Sequence, residues 1–347
     1  MSGTPRKRAD AFTAVIAGAA LLALPSPAIS ADFYAGKTIE VIVGGAPAGG
    51  VDLYARATAR HLTRHIPGQP TIVVKNMPGA SGARAAYYVA SVAPSNGLTI
   101  GAVTPGAIVG PLLDEKAKVS FDPSKLVYLG TTNAGVGICA TMSTSETRTF
   151  ADALKRKTVL GAQGPGAVSY DIAYLVKNLT GAQYNIVTGY NGSTHFLLAM
   201  ERAEIDGICG WNWSSAKSQK ADWIRDKKLN LLLQTGVSDD DELTKLGVPS
   251  IWQFISGDEN RKIAEFILAQ KGFERPLLMG PDTPAELVDI LRKAFDATMQ
   301  DPQFLAEMEK GRLDVSPASG TKVQALVQAF YATPKDIVQK ARGAIRP

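Results

Sequence analysis

Few residues in this chain of 347 are of types that do chemistry, and their spacing argues against catalysis. There are three histidines, His61, His65 and His195. The first two stand four apart, as in a zinc-binding helix, but the glutamate of an HExxH motif is missing. An exposed helix face accounts for that spacing. Ser81 lies in a glycine-containing turn, yet no GxSxG elbow surrounds it and no histidine is paired with it. The sequence therefore reads as a non-enzyme, with no metal ligand set and no cofactor motif.

The stronger signal is a series of glycine-rich turns. Gly44-Gly45-Ala46-Pro47-Ala48-Gly49-Gly50-Val51-Asp52 falls between an expected strand and an expected helix. Glycines there let backbone N–H groups approach an anion, and the helix N-terminus adds a partial positive charge. Neither GxxxxGK(S/T) nor GxGxxG fits the turn, so a small carboxylate is a better guest than a nucleotide. Asn76-Met77-Pro78-Gly79-Ala80-Ser81-Gly82 forms a second such turn, and Thr104 follows the third strand. At the carboxyl edge of a parallel sheet these converge. Gly161-Ala162-Gln163-Gly164-Pro165-Gly166-Ala167-Val168-Ser169 and Gly189-Tyr190-Asn191-Gly192-Ser193-Thr194 repeat the arrangement in the second half. Taken singly, these residues also read as ordinary turn formers, with Ser81 as a cap. Their joint occurrence suits a cleft between two α/β domains.

Two features keep alternative readings. Asp52 serves either as an N-cap or first-turn residue, worth about 1 kcal/mol, or as an acceptor for an ammonium or hydroxyl group of a ligand. Trp211 and Trp213 flank Asn212 just after a strand; an extended chain puts both rings on one face, and a turn splits them. Core packing suits at least one of them, which leaves the other to cover an apolar part of a ligand.

The elements that position these turns follow from periodicity. Residues 38–43, 71–74 and 99–103 read as strands and 51–65 and 82–92 as helices, the first placing Val51, Ala55, Ala59 and Leu62 on one face. After an extended pair at 126–130 and 136–142, strands at 158–162, 184–188, 205–211 and 229–234 alternate with helices at 168–179 and 194–202. Such alternation is the mark of parallel α/β architecture. A strand at 275–279 and helices at 284–299, 302–311 and 321–331 read as a tail returning to the first domain. The expected fold is α/β: a periplasmic-binding-protein clamshell of two α/β domains, joined by a double-crossing hinge near 131–135, with the ligand in the cleft. The expected division is a signal peptide at 1–30, domain 1 at 31–132 plus 273–347, and domain 2 at 133–272.

Arg6, Lys7 and Arg8, an apolar stretch from Ala11 to Leu24, and the small-x-small Ala28-Ile29-Ser30 read as a secretory signal. The apolar stretch is shorter than the roughly 20 residues that span a bilayer. The chain's net charge is +5, and loss of the signal, itself +2, leaves +3. That is too mild for a nucleic-acid binder. In an oxidising compartment the even pair Cys139 and Cys209 favours a bridge; two separately buried thiols are the other reading, and metal binding is disfavoured because no CxxC is present.

Several motifs resemble the solute receptors of tripartite tricarboxylate transporters, also called Bug receptors. They are Phe33-Tyr34-Ala35-Gly36-Lys37, Pro47-Ala48-Gly49-Gly50-Val51-Asp52, the 76–82 turn, and Gly189-Tyr190-Asn191-Gly192 followed by Glu204-Ile205-Asp206-Gly207. The resemblance implies carboxylate contacts from Ala48, Gly49, Gly50 and Asp52, with Ser81 and Gly82 opposite, and contributions from Ser169, Tyr190 and Asn191. Thr104 and Trp211 complete the expected site. Two departures stand out: Ala46-Pro47-Ala48 replaces a pair of prolines before the glycines, and Ser81 stands where glycine is common. The Ser81 hydroxyl is thereby placed to donate directly to a ligand in place of a bridging water.

The expected function is that of a monomeric periplasmic receptor. It captures a dicarboxylate, tricarboxylate or aromatic carboxylate and delivers it to a transporter with one large and one small membrane subunit. Two other uses of the scaffold are a sensor that hands its ligand to a receptor kinase and a periplasmic hydrolase or isomerase. No nucleic acid and no cofactor are expected.

Overall fold

The computed structural model describes residues 1–4, 33–114 and 119–347, so the expected signal segment, beyond its first four residues, lies outside the described residues. Strands form at the β-branched runs. β1 (Thr38–Val43), β2 (Thr71–Asn76), β3 (Thr99–Ala102) and β4 (Val127–Thr131) come first. β5 (Gly137–Met142), β6 (Thr158–Gly161), β7 (Tyr184–Val187), β8 (Gly207–Asn212) and β9 (Leu229–Thr235) follow, and β10 (Pro276–Met279) and β11 (Ala318–Ser319) come last. The first four and last two build one sheet in the order β11-β4-β10-β3-β1-β2; the middle five build another in the order β7-β6-β8-β5-β9. This is the two-sheet α/β clamshell.

β1, β2 and β3 are parallel, as are β6, β7 and β8. β10 runs antiparallel to β3 and β4, and β5 antiparallel to β8 and β9. The antiparallel pairings involve the strands next to the crossings. The last three residues of β1 are buried, as in a central strand covered on both faces, whereas edge strand β2 alternates exposed with half-buried residues. Helix Ala285–Gln300 buries Leu287, Leu291, Ala294, Phe295 and Met299, a stripe at helical spacing that closes the core on the β1 sheet.

The two crossing segments are laced together. Thr132 donates its N–H to the Arg275 carbonyl at 3.3 Å, and Glu274 to the Asn133 carbonyl at 3.1 Å. Gly135 donates to the Lys271 carbonyl at 3.2 Å, and the Arg275 N–H to Thr131 Oγ1 at 3.1 Å.

Several elements differ from the periodicity reading. Helix Pro105–Leu113 is apolar nearly all round, so it has no stripe to detect, and Pro111 inside it reads as a breaker. Helices Asp258–Leu268 and Lys335–Ala344 are further additions. The last one leaves the β1 sheet: it packs on helices Asp258–Leu268 and Val168–Thr180, and Asn178 Nδ2 donates to the carbonyls of Ala344 and Arg346 at 2.9 and 2.7 Å. Strand β8 starts at Gly207, two residues late, because Ala203 turns with φ of 55° and Glu204 still closes the preceding helix. The 61/65 helix face is not open to solvent. His61 and His65 face helix Pro302–Lys310, with His61 Nε2 2.7 Å from Glu307 Oε2 and His65 Nε2 2.9 Å from Asp301 Oδ2.

Candidate functional site

The glycine turns of both sheets open onto a single cleft of about 340 Å³. Four helices of nine residues or more begin at its wall: Gly50–Leu62, Pro105–Leu113, Val168–Thr180 and Ser193–Glu201. None has a side-chain cap, and their first residues, Gly50, Pro105, Val168 and Ser193, all line the cleft. Four helix dipoles with their positive ends on one cavity favour an anion there. Tyr190, Phe196, Ile208 and Trp211 add apolar wall. A cleft of this size with apolar walls and converging donors suits a small organic anion.

The structure brings Gly49, Gly50, Ser81, Gly82, Thr104, Ser169, Tyr190, Asn191 and Trp211 to the cleft. Ala48 and Asp52 are not among its lining residues. Asp52 is buried and turned the other way: it accepts from the Ala48 N–H at 2.9 Å, from Arg56 Nε at 3.0 Å and from Asn76 Nδ2 at 2.8 Å. Burial alone would raise its pKa, but those three donors outweigh it and hold the carboxyl below the usual range. Asp52 thus works from inside the first turn of helix Gly50–Leu62, fixing the turn that Gly49 and Gly50 present. Ala48 keeps its own contact across the cleft mouth, its carbonyl accepting from Gln219 Nε2 at 3.2 Å.

The second turn carries backbone strain. Ala80 and Ser81 have φ of 46° and 52°, and Gly82 follows at 88°. Glycine suits that region; the two L-residues before it do not. The turn is held by Thr104 Oγ1, which donates to the Ser81 carbonyl at 2.5 Å. Ser169 Oγ accepts from the Gln163 N–H at 3.1 Å, so this hydroxyl shapes the third turn. The tryptophans separate because β8 ends at Asn212, whose side chain caps helix Trp213–Gln219. Trp211 stays in the cleft wall with its Nε1 on Gln219 Oε1 at 3.2 Å; Trp213 goes into the core.

Ser215, Glu274 and Arg275 also line the cleft, without a signal in the sequence. They reach the cleft through the hinge and the β8 turn, which no local motif announces. Cys139 and Cys209 are bonded to each other across the β5–β8 pair, and Cys209 borders the cleft. Among the described residues, no cluster of three or more His, Cys, Asp or Glu could hold a metal, and no helix is long and apolar enough to cross a membrane.

The geometry is that of a two-sheet α/β fold with a cleft between the sheets. Solved structures with the same fold include Rpa4515 of R. palustris with adipate, 20% identical, with a TM-score of 0.68 over 88% of this chain and 97% of that one. MatC from Rhodopseudomonas palustris with bound malate is 18% identical, with a TM-score of 0.68 over 89% and 99%. The periplasmic binding protein BugD is 21% identical, with a TM-score of 0.68 over 90% and 98%. The fold is that of the Bug and TctC type of solute-binding protein. In sequence, a UPF0065 protein of Bordetella bronchiseptica is 33% identical over 93 residues, which span 27% of each chain. No protein-family model matches.

Proposed function

We propose that this chain is an exported solute receptor of the Bug type, which binds a small carboxylate in the cleft and presents it to a membrane transporter of the tripartite tricarboxylate kind. The observation that carries this is the convergence of four uncapped helix N-termini on one cavity. Charge compensation by backbone N–H groups suits a carboxylate. Neighbours of the same fold hold adipate and malate, which supports a short-chain acid as the guest. In this reading Gly49, Gly50, Ser81 and Gly82 hold the carboxylate, and Ser169, Tyr190 and Asn191 close from the second sheet. The lobes are 31–132 plus 273–347 and 133–272, the chain works as a monomer in the periplasm, and it performs no catalysis.

The test is a thermal-shift screen of the purified protein against carboxylates, amino acids and neutral metabolites. A ligand at about 100 times its Kd adds about 2.7 kcal/mol of stability. A carboxylate that raises Tm by several degrees, recovered chemically unchanged, is the expected result. Stabilisation by neutral compounds alone would overturn the reading.

A further inference from the structure

We propose that Arg275 is the counter-charge for the ligand's carboxylate, so that the cleft selects an acid over its uncharged amide; this rests on the carboxylate-receptor reading above. Glu274 and Arg275 are the charged residues among those that line the cleft. Both belong to a cluster with Lys271. Lys271 Nζ lies 2.6 Å from Glu274 Oε1, and Arg275 Nη1 lies 3.0 Å from Glu274 Oε2. The three side chains are 3%, 3% and 7% exposed, in the order Lys271, Glu274, Arg275. Two cations against one carboxylate leave one positive charge out of water. Another nearby carboxylate, Asp314, shares Lys217 with Glu242, at 3.0 and 2.7 Å, and both carboxylates are solvated, 44% and 51% exposed. An uncompensated buried charge is costly, and an anion entering the cleft completes the cluster.

The guanidinium is set up to meet such an anion. Nη1 is taken by the Glu274 side chain and by the Glu274 carbonyl at 2.7 Å. Nη2 gives one N–H to Ser215 Oγ at 2.7 Å and keeps a second. Nη2 lies only 3.1 Å from where a Cβ on Gly50 would stand. A Cβ there would meet Ser215 Oγ first, so the glycine lets the first turn, at the N-terminus of helix Gly50–Leu62, close onto the Ser215–Arg275 pair. The Tyr54 ring covers one face, 5.2 Å from the guanidinium carbon. Elsewhere Arg275 borders a cavity of about 10 Å³ with Thr58 and Thr132, whose hydroxyls, like Arg275 Nε, lack a partner among the described residues. That space matches the roughly 10–15 Å³ that one water needs. Nη2 keeps an N–H available to a ligand.

The experiment is calorimetric titration of the wild-type protein and of Arg275→Gln and Arg275→Lys with adipate and malate, each beside its diamide. Wild type is expected to prefer acid to diamide by at least about tenfold, in line with a charged hydrogen bond. Arg275→Gln is expected to lose about tenfold or more for the acids while the diamides change little, and Arg275→Lys to recover part of the loss. A bracing role alone would lower Tm and weaken acid and amide alike, which overturns the proposal. If wild type binds the acids and Arg275→Gln binds them equally, the proposal falls and the receptor reading stands. Should Arg275→Gln fail to fold, equal affinity of wild type for acid and diamide overturns the proposal without any variant. If wild type binds neither adipate nor malate but does bind neutral compounds, both readings fall together.

Discussion

At the scale of single residues, the cleft is shaped by side chains that do not all face it. Asp52 holds the first turn from behind, and Thr104 holds the second through the Ser81 carbonyl. Ser81 itself stands in the left-handed region, which costs an L-residue on the order of 1 kcal/mol. Such a residue is kept when its side chain is needed. Ser81→Gly is therefore expected to raise the stability of the ligand-free protein by about 1 kcal/mol or less, since glycine's extra freedom in the unfolded chain offsets part of the relief. The same substitution is expected to weaken carboxylate binding several-fold by removing a donor. Denaturant titration and calorimetry together check this; a variant that is less stable yet binds unchanged would refute the argument for strain and that for the hydroxyl.

At the scale of elements, helix Gly50–Leu62 is fixed by its partner Pro302–Lys310 through an ionic seam. Arg60 pairs with Glu307, and Arg64 lies 3.3 Å from Asp301. The hydrogen bond from His65 is the main cause that lowers the pKa of Asp301, with help from the Gln303 N–H and Arg64; Arg60, and then His61, do the same for Glu307. Carboxyls with depressed folded-state pKa values contribute stability above their usual values near 4, and lose it as pH falls through the lower folded values. Tm is therefore expected to drop on acidification from about pH 5 to pH 3. Asp301→Asn combined with Glu307→Gln should lower Tm at neutral pH and flatten that acid limb. An acid limb of unchanged slope in the double variant would place the loss elsewhere. Because this helix also ends at the cleft, the seam bears on how firmly Gly49 and Gly50 are presented.

At the scale of the whole molecule, the two lobes meet along the hinge, the C-terminal helix, a shared apolar core and several polar contacts. Tyr54 Oη and Ser214 Oγ meet at 2.6 Å, and Gln219 spans from Ala48 to Ser193 Oγ at 3.0 Å. A ligand drives closure only by as much as it binds the closed form better, so both lobes must touch it. Asn191 sits on the second-lobe rim of the cleft. Asn191→Ala is therefore expected to leave the ligand-free scattering profile unchanged and to reduce compaction when ligand is added. Full compaction of the variant at saturating ligand would remove Asn191 from the closing set.

The strands and the four glycine turns were legible in the sequence because their signals are local: β-branched runs bounded by glycine, and apolar spacing along the helices that follow. So was the cleft they enclose, since turns at the carboxyl edges of two sheets must face a common space. Other features were set by side-chain contacts, some local and some distant, that periodicity does not report. Asp52 turned from the cleft because Asn76, 24 residues on, offered a donor. Trp211 and Trp213 parted because Asn212 capped a helix. The His61/His65 face was covered by a helix some 240 residues later. Arg275 had no motif at all: it lies at the cleft only because the returning hinge segment runs beneath Gly50. Periodicity and turn chemistry report on neighbours within a few residues; which charge is buried beside which turn is decided by how distant segments pack, and here that packing put Arg275 beside the turn at Gly50.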